Sequence, residues 1–222
     1  MSSVPNAPFA APQDASLAAA AEAGDAARVA ELVARGADPE AVDTQGTPLL
    51  QWTMLRLSRP GFVALLDAGA DPARPAASGR TAVHLAAMAD TGFYLETLLK
   101  RGASADTPNP EDGTTPLFAA LQASRPNNVD LLLSAGADPN AADAHGQTAL
   151  YAAATINDNA SALKLLRAGA DPHATAADGS TFQHRVFDRP DADVNLRTQH
   201  ERNAIRDWLR DHAVAIEPAP TR

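Results

Sequence analysis

The sequence has no cysteine, which excludes disulfides and thiolate metal sites and leaves the redox compartment open. Aromatic residues are scarce, at 5% against an apolar fraction of 45%. Alanine makes up much of the difference, and small side chains suit close helix–helix contact better than a sheet core of Val, Ile and Phe. Lysine occurs only as Lys100 and Lys164 while arginine is common. With the Ala and Pro bias, that usage points to a GC-rich bacterial genome. Positive charge is in the minority, with 18 basic against 27 acidic residues and a net charge of −9. Phosphates would repel such a chain, so nucleic acid and anionic membrane are not expected partners, and a basic protein surface is. No segment approaches the roughly 20 apolar residues of a membrane span. Met1 to Gln13 carry no Lys or Arg and no apolar stretch of signal-peptide length. The expectation is a cytoplasmic monomer, unless a dedicated secretion system exports it.

Motifs for chemistry are also missing. There is no Gly-x-Ser-x-Gly elbow, no phosphate-cradling glycine loop and no His-Glu-x-x-His. The six histidines (His84, His145, His173, His184, His200 and His212) lie without ligand spacing. Asp188, Asp191 and Asp193 resemble the start of a calcium loop but lack its central glycine and closing glutamate. No cofactor, no metal and no catalysis are expected.

What the chain does have is a period. Gly-Ala-Asp-Pro stands at Gly36, Gly69, Gly136 and Gly169, with Gly102-Ala103-Ser104-Ala105 filling the gap, at intervals of 33, 33, 34 and 33. A second set, Gly46, Gly79, Gly113, Gly146 and Gly179, follows about ten residues behind. Large or apolar residues precede each first-set glycine by seven, four and three positions, as in Val29/Leu32/Val33, Phe62/Leu65/Leu66, Leu95/Leu98/Leu99, Val129/Leu132/Leu133 and Ala162/Leu165/Leu166. Those offsets define one helical face, which the glycine ends and the following Pro keeps from resuming. After the second glycine, Thr47-Pro48 and Thr115-Pro116 read as helix starts, and Thr81, Thr148 and Thr181 stand at matching places. One period is helix, turn, helix and tight loop. The chain is expected to be all-α.

The period and the segments Thr81-Ala82-Val83-His84-Leu85-Ala86-Ala87 and Thr115-Pro116-Leu117-Phe118-Ala119-Ala120 resemble the ankyrin repeat, in a bacterial form. The resemblance covers residues 14–213. It implies a solenoid of about six helix-turn-helix repeats with capping end repeats, linked by hairpin-like fingers, and a histidine at His84 and His184 that bonds neighbouring backbone. The expected repeats are about 14–46, 47–79, 80–113, 114–146, 147–179 and 180–213. Residues 1–13 are expected to be a disordered tail and 214–222 a flexible one. Asp14 or Ser16 reads as the first N-cap. The last repeat reads as a cap with an insertion near 188–199, with Ile205, Trp208 and Leu209 as its core and His212 in the glycine's place. Arg202, Arg206 and Arg210 read as its charged outer face.

Function then falls to binding. The expectation is a non-catalytic protein–protein interaction module using a concave helix face and loop fingers, with an immunity or inhibitor protein, or a secreted effector, as the alternative. An enzyme or small-ligand receptor needs a closed pocket, which a single-layer solenoid rarely provides. The candidate partner contacts on the fingers and repeat starts are Thr44, Gln45, Arg80, Glu111, Asp112, Thr114, His145 and Gln147. Those after the small residues of the first helices are Met88, Gln122, Thr155 and Ile156. Trp52, in an ungapped register with Leu50 in the buried leucine slot, reads either as a cover for the core edge or as an anchor.

Overall fold

The computed structural model describes residues 9–217, and all described regular structure is helical. The chain divides into two compact units, Met1–Glu111 and Asp112–Arg222. Each holds three helix pairs. The first unit contains α1 (Pro12–Ala23), α2 (Ala26–Ala34), α3 (Leu49–Leu55), α4 (Arg59–Asp67), α5 (Ala82–Met88) and α6 (Phe93–Lys100). The second contains α7 (Pro116–Gln122), α8 (Pro126–Ser134), α9 (Ala149–Thr155), α10 (Asn159–Arg167), α11 (Phe182–Val186) and α12 (Leu196–Asp211). Within the first unit α1 packs on α3 and α3 on α5; within the second α7 packs on α9 and α9 on α11.

The glycine-ended helix pattern is realised, with a gradation. At the seven- and four-back positions Val29, Phe62, Leu65, Leu95, Leu98, Val129, Leu132 and Leu165 are all buried, whereas Val33, Leu66, Leu99 and Leu133 are only half-buried. Each fully buried side chain of this size stabilises by roughly 1.5–3 kcal/mol before entropy. The first helices fit together because their facing residues are small: Ala86, Ala87, Ala120, Ala153 and Ala154 are buried. Close approach reaches its limit where α4 meets α1. Ser58 Oγ donates to Ala21 O at 2.6 Å, and a Cβ on Gly61 would lie 1.8 Å from that same oxygen, so only glycine fits.

The start of α3 lies one residue later than the Thr-Pro pair suggests. Pro48 is the N-cap and Thr47 lies outside the helix. Thr81, Thr115, Thr148 and Thr181 are N-caps as expected, Thr81 and Thr181 in capping boxes closed by His84 and His184.

The ends depart further from expectation. Residues 1–8 of the expected N-terminal tail lie outside the described residues, but Phe9 is buried and α1 begins at Pro12. Proline at the helix's first position sets that start. Asp14 is therefore in the first turn, where its carboxylate accepts from Asp38 N–H at 3.0 Å, and Ser16 bonds back to Pro12 O at 2.9 Å. Neither is the cap.

At the other end Ala213, at φ 55°, takes the left-handed position of the missing glycine, and His212 is the C-cap before it. The expected outer face is also corrected. Arg202 is 1% exposed, its guanidinium donating to Arg189 O at 2.8 Å and pairing with Asp191 at 3.4 Å and Asp188 at 3.6 Å. Trp208 is half-buried and stacks on His212, ring centroids 4.0 Å apart, while Ile205 and Leu209 form the core. Residues 214–217 fold back on α11: the buried Gln183 amide donates to Ala215 O and accepts from Glu217 N–H, both at 3.1 Å. Gln183 thus stands where the repeat has an apolar residue because it meets backbone, not another helix. Residues 218–222 lie outside the described residues.

Candidate partner-binding surface

Two of the fingers are closed by an aspartate. Asp43 accepts from Gln45 N–H at 2.9 Å and Thr47 N–H at 2.8 Å, and its own N–H reaches Thr47 O at 3.0 Å. Asp143 repeats this with His145 and Gln147 N–H, both at 2.8 Å. Single antiparallel bridges, Val42 with Pro48 and Ala142 with Thr148, make these loops hairpin-like without forming strands. Neighbouring fingers are laced by backbone within each unit: Ala77 N–H to Gly46 O at 3.1 Å in the first, and Ala144 N–H to Asp112 O at 2.9 Å and Ala177 N–H to His145 O at 3.0 Å in the second. Gly79 marks how close this lacing is. It sits at φ 75°, and a Cβ there would fall 1.9 Å from Asn109 Oδ1.

The expected contact residues divide accordingly. Thr44, Gln45, Glu111 and His145 are exposed on finger tips, and Arg80, Asp112, Thr114 and Gln147 are half-buried, with Thr114 hydroxyl on Asp112 at 2.6 Å. Gln122, Gln147, Thr155 and Ile156 come together around one groove of about 150 Å³ in the second unit, with Phe118 in its wall. Met88 lines a cleft of about 280 Å³ in the first unit. Trp52 is the exception. It is 7% exposed, with the Phe9 ring edge-on at 5.7 Å and the Arg56 guanidinium 5.0 Å from its ring centre, so it covers the core edge and is not a surface anchor. Phe118 and Tyr151, in the slot of His84, are buried.

Three residues at the larger cleft escape a sequence reading: Leu55, Leu57 and Tyr94. The signal was present in the period, since Leu55 aligns with Met88, Gln122 and Thr155, and Leu57 with Ser124 and Asn157. Burial pushes the Tyr94 phenol above its ordinary pKa, a rise opposed by the Arg59 charge.

His84 accepts from Thr81 N–H through Nδ1 at 3.3 Å, and His184 from Thr181 N–H at the same distance, so both ring nitrogens serve helix starts. The three aspartates that resemble a calcium loop do not converge on a cation site. Asp188 and Asp191 instead pair with Arg202, and Asp191 also with Arg206 at 2.8 Å. Among the described residues no group of three His, Asp or Glu side chains is placed to hold a metal ion, and no helix is long and apolar enough to cross a membrane.

Stacked helix pairs, aspartate-closed fingers and capping-box histidines coincide with a family description, ankyrin repeats (3 copies), matching residues 15–143 and 94–176. The chain belongs to the ankyrin-repeat family. It is similar to the crystal structure of the ankyrin repeat domain of Bcl-3, a unique member of the IkappaB protein family, with a TM-score of 0.73 and 27% identity over 84% of this chain and 81% of that one. It is 39% identical to protein PhlB of Serratia liquefaciens over 52% of this chain and 56% of PhlB. It is 42% identical to human neurogenic locus notch homolog protein 4 over 48% of this chain and 5% of that protein. The chain thus spans about half of PhlB's length and a small part of the notch homologue. Ankyrin repeats are protein–protein interaction modules, and no catalytic family is indicated.

Proposed function

We propose that this chain is a non-catalytic, monomeric binding module whose partner is a protein with a basic surface. The carrying observation is where apolar side chains are left uncovered. Six large ones are exposed among the described residues: Val42, Leu55, Leu57, Ile156, Leu196 and Ile216. Val42 is on a finger, and Leu55, Leu57 and Ile156 sit at the ends of first helices or in the turn beyond. Scattered exposure needs no explanation, but three of the six fall within three neighbouring positions of the repeat, at the end of a first helix, and that clustering supports a contact surface there in each unit. The net charge of −9 selects against acidic partners. No reactive side chain is needed for this role.

Affinity capture from the native host, followed by in vitro binding of the purified partner, tests the reading. Ile156→Glu and Leu55→Glu should keep the native melting transition and weaken binding by at least about tenfold, as for anchors at an interface centre. Undiminished binding by both variants would overturn the assigned contacts. If the partner is an enzyme, its activity with and without this chain separates inhibition from scaffolding.

A further inference from the structure

The second unit's groove of about 150 Å³ has one acid in its lining and no base. Phe118, Leu121, Ala152 and Ile156 are its apolar part, and Gln122, Gln147 and Thr155 are polar but neutral. The acid is Asp143, whose side chain is only 10% exposed. Its Oδ1 is taken by the His145 and Gln147 N–H groups. Its Oδ2 makes no hydrogen bond among the described residues, where the His145 ring, 75% exposed and 3.8 Å away, is its only basic neighbour within 4 Å. That oxygen is not sealed off from solvent. The side-chain amides of Gln122 and Gln147 also make no hydrogen bond among the described residues, so both are free to turn.

Closing the finger does not require this carboxylate. Ala76 and Ala176 stand at the same place in their fingers and still donate N–H to Arg80 O and Ser180 O, both at 2.9 Å. Gly79 and Gly179 N–H return to Ala76 O and Ala176 O at 2.9 and 2.8 Å, as Gly146 N–H does to Asp143 O at 3.0 Å. A largely buried carboxylate with one oxygen unpaired is a cost that an incoming cation removes.

We infer that this groove seats one arginine side chain of a partner protein, its methylene stem along the apolar side at Ile156 and its guanidinium on Asp143 Oδ2 and the Gln122 and Gln147 amide oxygens. The inference rests on the protein-binding reading above and narrows its basic surface to one residue type at one place. Asp143 repels an acidic occupant, and an aliphatic one would strip more water from the carboxylate without pairing it. A lysine brings charge as a strongly hydrated point with three donors. The planar fork of a guanidinium carries five, enough for a carboxylate and two amides at once.

The test titrates N-acetylated glycyl-arginyl-glycinamide, its lysine counterpart and its citrulline counterpart, which has arginine's shape without the charge. They are added to the full chain labelled with 13C at the isoleucine δ1 methyls, at about pH 8, where an imidazole is neutral, and at fixed ionic strength. The three isoleucines are Ile156, Ile205 and Ile216, so one signal reports the groove and two serve as controls. The Ile156 signal should shift saturably, with the arginine peptide binding about fivefold more tightly than the citrulline peptide and about twofold more tightly than the lysine peptide. Asp143→Asn keeps an acceptor for the finger and should erase the preference over citrulline without changing the melting transition. Asp43→Asn makes the same exchange in the first unit and should leave that preference intact. No shift at Ile156, arginine binding no tighter than either competitor, or a preference that survives Asp143→Asn would each overturn the inference. A captured partner lost with Ile156→Glu but indifferent to Asp143→Asn would remove the arginine seat and leave the protein-binding reading standing. Arginine-selective shifts at Ile156, with partner binding undiminished by Ile156→Glu and Leu55→Glu, would keep the guanidinium site and overturn its use in protein binding.

Discussion

The Phe9 ring meets the Trp52 ring edge-on, with centroids 5.7 Å apart and planes at 80°. Phe9 is 5% exposed, so this residue from ahead of the first helix completes the core. Phe9→Ala should cost about 2–3 kcal/mol, slightly below a mid-core phenylalanine because it lies near a chain end. It should also wet Trp52. In a Trp208→Phe background the emission should shift to the red; an unchanged spectrum would show that Phe9 does not shield the indole.

Arg202 poses a different question, because it is buried while its carboxylate partners Asp188 and Asp191 are 44% and 43% exposed. Removing the guanidinium leaves those carboxylates in water, so the loss comes from a cavity and from Arg189 O left without its donor. Arg202→Ala should therefore cost about 2–4 kcal/mol, and Arg202→Met, which refills the space, under about 1.5 kcal/mol. Urea denaturation distinguishes them, and equal losses would mean that the charge matters more than the volume.

Asp191 links that corner to pH. The hydrogen bond from Arg206, then its charge and the weaker effects of Arg202, hold the carboxyl below its ordinary pKa against a smaller opposing effect of burial. A lowered carboxylate pKa adds stability that is fully present above the ordinary value, near 3.9, and drains away as pH falls through the folded one. The melting temperature of the native chain should exceed that of Asp191→Asn at pH 6, and the gap should close as pH is taken below about 3.9. A gap that persists at the acid end would locate the effect elsewhere.

How far the sequence disclosed this structure depends on distance from the ends. Inside the array each position is read five times, so the burial of Leu98, Leu132 and Leu165 follows from spacing alone. At the ends that averaging fails, and tertiary partners decide. Proline, not Asp14, sets the first helix; Arg202 turns inward because the insertion gives it carboxylates and a carbonyl; Gln183 replaces an apolar residue because backbone lies opposite. The candidate surface was legible as a set of positions, and Gln122, Gln147, Thr155 and Ile156 do line one groove. Trp52 was not, since nothing in the period indicates that Phe9 would reach it.

Two glycines allow a matched comparison of strain with collision. Gly169 sits at φ 95° with open space, nothing within 4 Å, where a Cβ would project, whereas Gly79, at φ 75°, would drive its Cβ into Asn109 Oδ1 at 1.9 Å. Gly169→Ala should cost about 1 kcal/mol, the backbone strain alone. Gly79→Ala should cost about 2–3 kcal/mol, because Asn109 must also give up its bonds to Ser78 O and Glu111 N–H. Chemical denaturation of the two variants measures the difference directly.

Leu57 should be replaceable at a gain. Leu57→Asn, copying Asn157, should raise stability by about 0.5–1 kcal/mol by relieving the left-handed leucine. A fall in stability would show that its exposed side chain holds the turn.

The aspartate-closed fingers carry one more implication. Asp43 and Asp143 fix the first residue of each loop and Gly46 and Gly146 the fourth, leaving 44 and 45, or 144 and 145, as the two places where a side chain can change without disturbing closure. Each loop therefore behaves as a two-letter word in a rigid frame, and a descendant of this chain could acquire a new partner by respelling those words while its fold stays put.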